Sequence, residues 1–139
     1  MDVNPLYPIL AWDPQHGWDG AIEQREQGIP SLAECHFGLA GFIERRDLAL
    51  CRANGLRGIL YDPAVLPNRL AWNDLSDVQL DALLRRWTAD TADDPTVYGY
   101  FIKDEPGARD FAGLARAVAA LKRYAPDKIA YINLFPNYA

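Results

Sequence analysis

Asp104 and Glu105 stand side by side between Lys103 and Pro106. Two carboxylates held together can move protons and accept hydrogen bonds from hydroxyl groups, the basis of general acid and base chemistry. They follow Val97-Tyr98-Gly99-Tyr100-Phe101-Ile102, a nearly continuous apolar and aromatic run of the kind found in a strand buried on both faces. That run delivers charge to its C-terminal tip, where parallel α/β sheets and barrels place their ligand sites. A plainer role is also open to the pair, since carboxylates favour a helix N-terminus and Pro106 suits a first helical turn.

The other expected strand tips carry polar groups beside rings: Trp12 with Asp13, Cys35 with His36 and Phe37, Tyr61 with Asp62, Asn133 with Phe135 and Tyr138. Rings that stack on sugar faces, next to carboxylates and amides that bind hydroxyls, suit a carbohydrate cleft. Neither His36 nor His16 has metal-ligand spacing with other His, Cys or acidic residues, so neither a metal nor another cofactor is expected. Lys103 either holds the acid pair ionised or points away by strand alternation.

The elements that must position these residues read as alternating strands and helices. The first strand is expected over 6–12, followed by a helix over 19–27 with Gly28 as its stop. A second strand is expected over 31–37 and a helix over 42–54, ended by Gly55. A third strand over 56–62 leads into a long loop from 63 to 73, then a helix over 76–89 with Leu75, Val78, Leu80, Leu83, Leu84 and Trp87 on its apolar face, Trp87 being core and Trp72 undecided. The run from Val97 is the fourth strand, 108–124 the clearest helix, and 128–135 the fifth strand. Cys35 and Cys51 are read as reduced packing residues.

Composition narrows the class. One domain over 1–139 is expected, half of it hydrophobic, and 14 basic against 19 acidic residues leave a formal charge of −5 with no basic run to track a phosphate backbone. Nucleic acid and membrane are therefore not expected partners, the chain having no apolar segment near the roughly 18 residues that span a bilayer. Its start lacks a signal peptide's features, which reads as cytoplasmic as given, or secreted if the N-terminus is truncated.

Two architectures accept five strands with crossover helices: a complete doubly wound, flavodoxin-like domain, or the first five strands of a (β/α)8 barrel, usually about 250 residues long. The doubly wound reading lacks a glycine-rich phosphate turn after its first strand and a lysine after its fifth. Moreover, Gly99-Tyr100-Phe101-Ile102-Lys103-Asp104-Glu105-Pro106, Ala130-Tyr131-Ile132-Asn133-Leu134-Phe135-Pro136-Asn137-Tyr138-Ala139 and Pro8-Ile9-Leu10-Ala11-Trp12 together resemble a group of bacterial glycoside-hydrolase-like TIM-barrel proteins. The resemblance implies a barrel whose retaining relatives carry an acid/base Glu in an Asn-Glu-Pro motif after strand four. It places Glu105 in that role, with Asp104 replacing the Asn that contacts the sugar 2-hydroxyl.

The chain then carries half of the chemistry. A retaining glycosidase sets a nucleophile about 5–5.5 Å from the acid, and an inverting one a base roughly 6.5–9.5 Å away. The resemblance puts the nucleophile on strand seven, beyond this chain. Glu105 is expected to be catalytic and buried enough to raise its carboxyl above about 4.3. Trp12, Asp13, His36, Tyr61, Asp62, Lys103, Asp104, Asn133 and Tyr138 are expected to bind the carbohydrate. Self-association or a complementary chain is expected to cover the open barrel edges. The alternatives are a non-catalytic carbohydrate-binding fragment and a signalling or binding module of flavodoxin type.

Overall fold

A computed structural model describes residues 7–11, 25–62 and 70–135, the first three residues of the second segment by backbone alone. The expected roles of Trp12, Asp13, His16 and Tyr138, and most of the 63–73 loop, lie outside the described residues. The elements are α1 (Arg25–Glu34), β1 (Leu39–Ile43), α2 (Leu48–Ala53), β2 (Arg57–Leu60), α3 (Asp77–Thr88), β3 (Val97–Asp104), α4 (Phe111–Tyr124) and β4 (Ile129–Asn133). The four strands form one sheet in the order β1-β2-β3-β4, with the β1/β2 and β3/β4 pairs parallel. A flavodoxin-like domain has strand order 2-1-3-4-5. The sequential order found here does not match it, and the doubly wound alternative is corrected on that ground.

The described residues fall into two compact units, one from 1–60 and 95–98, the other from 61–94 and 99–139. In the first, β1 is buried along its whole length and pairs with β2. The expected first strand over 6–12 is reduced, in its described part, to a single parallel bridge between Leu10 and Leu39. Its neighbours are corrected too. The helix expected to stop at Gly28 runs on through Gly28 and Pro30 to Glu34, because Ile29 and Leu32 are buried on it and tertiary packing outweighs the local breakers. Ser31–Glu34 are thus helical, and the strand expected there is β1, eight residues later. Phe42 and Ile43, expected to open a helix, close β1, and α2 begins only at Leu48. Cys35 is exposed rather than packed, whereas Cys51 is buried and its thiol is pushed up to about 12, chiefly by burial.

The second unit follows the sequence more closely, although Val78, expected on the apolar face of α3, is exposed and the buried face is Leu80, Leu84 and Trp87. Ser76 caps α3 through a reciprocal pair, its hydroxyl accepting from the Gln79 N–H and the Gln79 side chain accepting from the Ser76 N–H. Trp87 on α3 packs edge-on against Tyr100 of β3 with ring centroids 5.3 Å apart, and the Tyr100 hydroxyl pairs with Thr91 at 2.9 Å. Trp72 is buried as well, its indole N–H without an acceptor among the described residues. α4 buries Gly113, Leu114, Ala117, Ala120 and Leu121, positions spaced to form one face. At its start the Asn73 side chain accepts from the Gly113 N–H at 2.6 Å and donates to the Arg109 carbonyl, so the contact leaves no room for a Cβ on Gly113. Arg116 donates to the Trp72 and Leu75 carbonyls and to Asp77, tying the segment before α3 to α4. Among the described residues no helix is long and apolar enough to cross a membrane.

Candidate functional site

The site is built in the second unit, where β3 and β4 end together. Their register pairs Phe101 with Tyr131, Lys103 with Ile132 and Asp104 with Asn133, so Ile102 is one residue extra on β3. Paired residues of neighbouring strands point to the same face of a sheet. Strict alternation would have put Phe101 and Lys103 on one face and Asp104 on the other. The bulge at Ile102 exchanges them, which is a common use of bulges beside functional sites. Asp104 joins Phe101, Tyr131 and Asn133, while Lys103 joins Ile132 on the face that packs against α4. The register thus sets Lys103 beside Ile132 and not beside Asp104.

The face that holds Asp104 is lined by rings. Tyr61, Phe101 and Tyr131 form a row, with centroid separations of 6.3 Å and 5.8 Å. At its tip the Asn133 side-chain amide donates to Asp104 Oδ1 at 2.7 Å, a hydrogen bond to a charged group and hence a strong one. The other carboxylate oxygen of Asp104 accepts no hydrogen bond from a described residue, and the side chain is half-buried. Tyr131 holds its phenol proton more tightly than a free tyrosine, because burial and the nearby Asp104 charge both oppose the phenolate.

Glu105 continues the ladder by one step, its N–H donating to the Asn133 carbonyl at 2.8 Å. Its φ is 42°, in the left-handed region that side chains other than Gly and Asn seldom enter. The side chain is exposed, so the burial expected to raise its carboxyl is not found. Asn133 thus holds both acidic residues, one through its side chain and one through its backbone. Tyr61 and Asp62, both half-buried, follow β2, with Tyr61 in the ring row.

His36 does not belong to this arrangement. It lies in the turn between α1 and β1, at the start of a strand rather than its tip, and its φ of 62° ends the helix. The His36 N–H bonds to the Ala33 carbonyl and the Phe37 N–H to the Leu32 carbonyl, the double pattern that closes a helix around a left-handed residue. Like Phe101, Tyr131 is a site residue that the sequence reading passed over. Its two-residue spacing from Asn133 on one strand was the available signal. Among the described residues no group of three or more His, Cys, Asp or Glu is placed to hold a metal ion. No family model, curated protein or solved structure matches the chain.

Proposed function

We propose that this chain is part of a glycoside-hydrolase-like (β/α)8 barrel and binds a carbohydrate at the tips of β3 and β4, with Glu105 in the general acid/base position. The observation that carries the reading is the Asp104–Asn133 pair at adjacent parallel strand tips, on the face lined by Tyr61, Phe101 and Tyr131. Rings offer apolar area to a sugar's C–H face, and the free oxygen of Asp104 accepts from a hydroxyl. The sequential strand order, extended by the Leu10–Leu39 bridge, is the order of a barrel's consecutive strands and supports that architecture. On the barrel reading, the apolar groove of about 510 Å³ between α4 and the other face of β4 is where the helix of a following βα unit packs.

In hydrolysis Glu105 protonates the glycosidic oxygen as the bond to the anomeric carbon breaks, and a second carboxylate on another barrel strand attacks that carbon or activates water. The exposure of Glu105 favours a second reading, binding without hydrolysis, because a general acid usually works in a site that excludes water. Titration of the ¹⁵N-labelled chain with cellotetraose, mannotetraose, galactotetraose and xylotetraose tests the site. At least one is expected to shift the Asn133 side-chain amide and the Glu105 backbone amide at millimolar concentration. No shift with any of them overturns the carbohydrate reading. Turnover of an aryl glycoside by a chain extended through strand seven, lost in Glu105→Gln while the shifts survive, selects hydrolysis, and its absence in that extended chain selects binding alone.

A further inference from the structure

The bulge at Ile102 decides the charge of the site. Without it Lys103 would share the ring-lined face with Phe101, and a cation at a sugar site is the usual partner of a carboxylate or phosphate on the ligand. With it, that face carries Asp104 at its tip, and Lys103 pairs in register with Ile132 on the face that packs against α4. Glu105 adds a second negative side chain one residue on. Arg109, the next cation in sequence, sits in the exposed turn Ala108–Asp110 and makes no ion pair with Asp104 or Glu105. The side-chain donors on the site face, the Asn133 amide and the Tyr61 and Tyr131 phenols, are neutral. Asn133 already spends one amide hydrogen on Asp104, which fixes the carboxylate with one oxygen bound and the other open.

We propose that the tip is selective for uncharged sugars and rejects uronates and sugar phosphates, because the bulge presents Asp104 in place of Lys103 beside the Tyr61–Phe101–Tyr131 row. This rests on the carbohydrate reading above and adds to it the class of sugar. An anionic substituent on the ring would face one carboxylate fixed at the tip and a second beside it, with no cation in described contact with either. A neutral ring meets only an acceptor, a partly engaged amide and aromatic faces, all of which suit hydroxyl and C–H groups.

The test uses pairs with the same backbone linkage: cellotetraose with tetraglucuronate, mannotetraose with tetramannuronate, galactotetraose with tetragalacturonate, each titrated at low salt. The neutral member of the binding pair is expected to bind at least about tenfold more tightly than the acidic one, as one unit of like charge a few Å away in a partly desolvated site requires. Added salt should narrow the gap by screening. Asp104→Asn, which keeps the shape and one acceptor oxygen but removes the charge, should weaken the neutral ligand and relieve the acidic one, so that the discrimination falls severalfold. Equal or tighter binding of the acidic member, or a gap that Asp104→Asn leaves unchanged, overturns the charge selection while the carbohydrate reading stands. If neither series binds, the carbohydrate reading falls and this inference with it.

Discussion

His36 at φ 62° and Glu105 at φ 42° are the described residues other than glycine with left-handed backbones, a conformation that costs an L side chain roughly 1–2 kcal/mol. At His36 the cost has a local return. Two backbone hydrogen bonds close α1 around it, and a glycine would serve the same turn at least as well. At Glu105 there is no helix to close. The residue leaves β3 after its last paired position, with its N–H on the Asn133 carbonyl, and Pro106 behind it disfavours the right-handed helical alternative. Its conformation is held by the β3/β4 tip and sets where the carboxylate projects. Strain kept where no secondary structure asks for it is the ground on which a functional role for Glu105 is proposed, and the pair of residues shows why the backbone angle alone is not such a ground.

The largest effect should come from removing what holds the tip. Asn133→Ala takes the donor from a half-buried Asp104, and a hydrogen bond to a charged group is worth about 1.5–3 kcal/mol. Urea unfolding should show a loss toward the lower end of that range, since the carboxylate keeps partial access to water. Native-state hydrogen exchange should speed at the Glu105 amide and stay unchanged at the Phe37 amide that closes the His36 turn. Equal acceleration at both would mean that the two left-handed residues answer to one cooperative unit and not to separate causes.

Glycine substitution should separate the two residues at a smaller scale. His36→Gly and Glu105→Gly each relieve a left-handed side chain, and each should raise stability by up to about 1 kcal/mol. Only Glu105→Gly should weaken binding of the neutral tetrasaccharide. Full retention of binding in Glu105→Gly would reduce Glu105 to a turn residue like His36.

What the sequence made legible follows the same division. The second unit could be read because its signals agree: Ser76 with Gln79 announces a helix start, the spacing of Leu80, Leu84 and Trp87 gives its face, and the apolar run from Val97 is long enough to be unambiguous. In the first unit they conflict. Gly28 and Pro30 speak for a stop while Ile29 and Leu32 pack as helix, and Phe42-Ile43 joined to Leu48-Ala49-Leu50-Cys51 mimics one amphipathic period across a strand, a turn and a helix. At the site, the acid pair and Asn133 were visible as residues. Their common face was not, because alternation counted from Phe101 assigns Lys103 to it, and nothing in Phe101-Ile102-Lys103 marks Ile102 as extra. The bulge is a property of two strands in register, and one strand's sequence does not carry it.

The smallest expected effect tests that register directly. Tyr131 holds its proton above the ordinary value of 10.0, first through burial and then through the Asp104 charge. Since the folded value is raised, the contribution to stability is fully present below about pH 10 and is lost as pH climbs through the raised value. Asp104→Asn removes the charge and leaves the burial, so the Tyr131 transition should move down in pH yet remain above that of a free tyrosine. A ¹³C-tyrosine titration resolves the ring individually. The alkaline loss of tip protection at the Glu105 amide should move with it, whereas the Phe37 amide should show no matching step. If Asp104→Asn leaves the Tyr131 transition in place, Asp104 does not face Tyr131, the bulge has not turned it, and the distinction between a strained tip and a capped turn loses its structural basis.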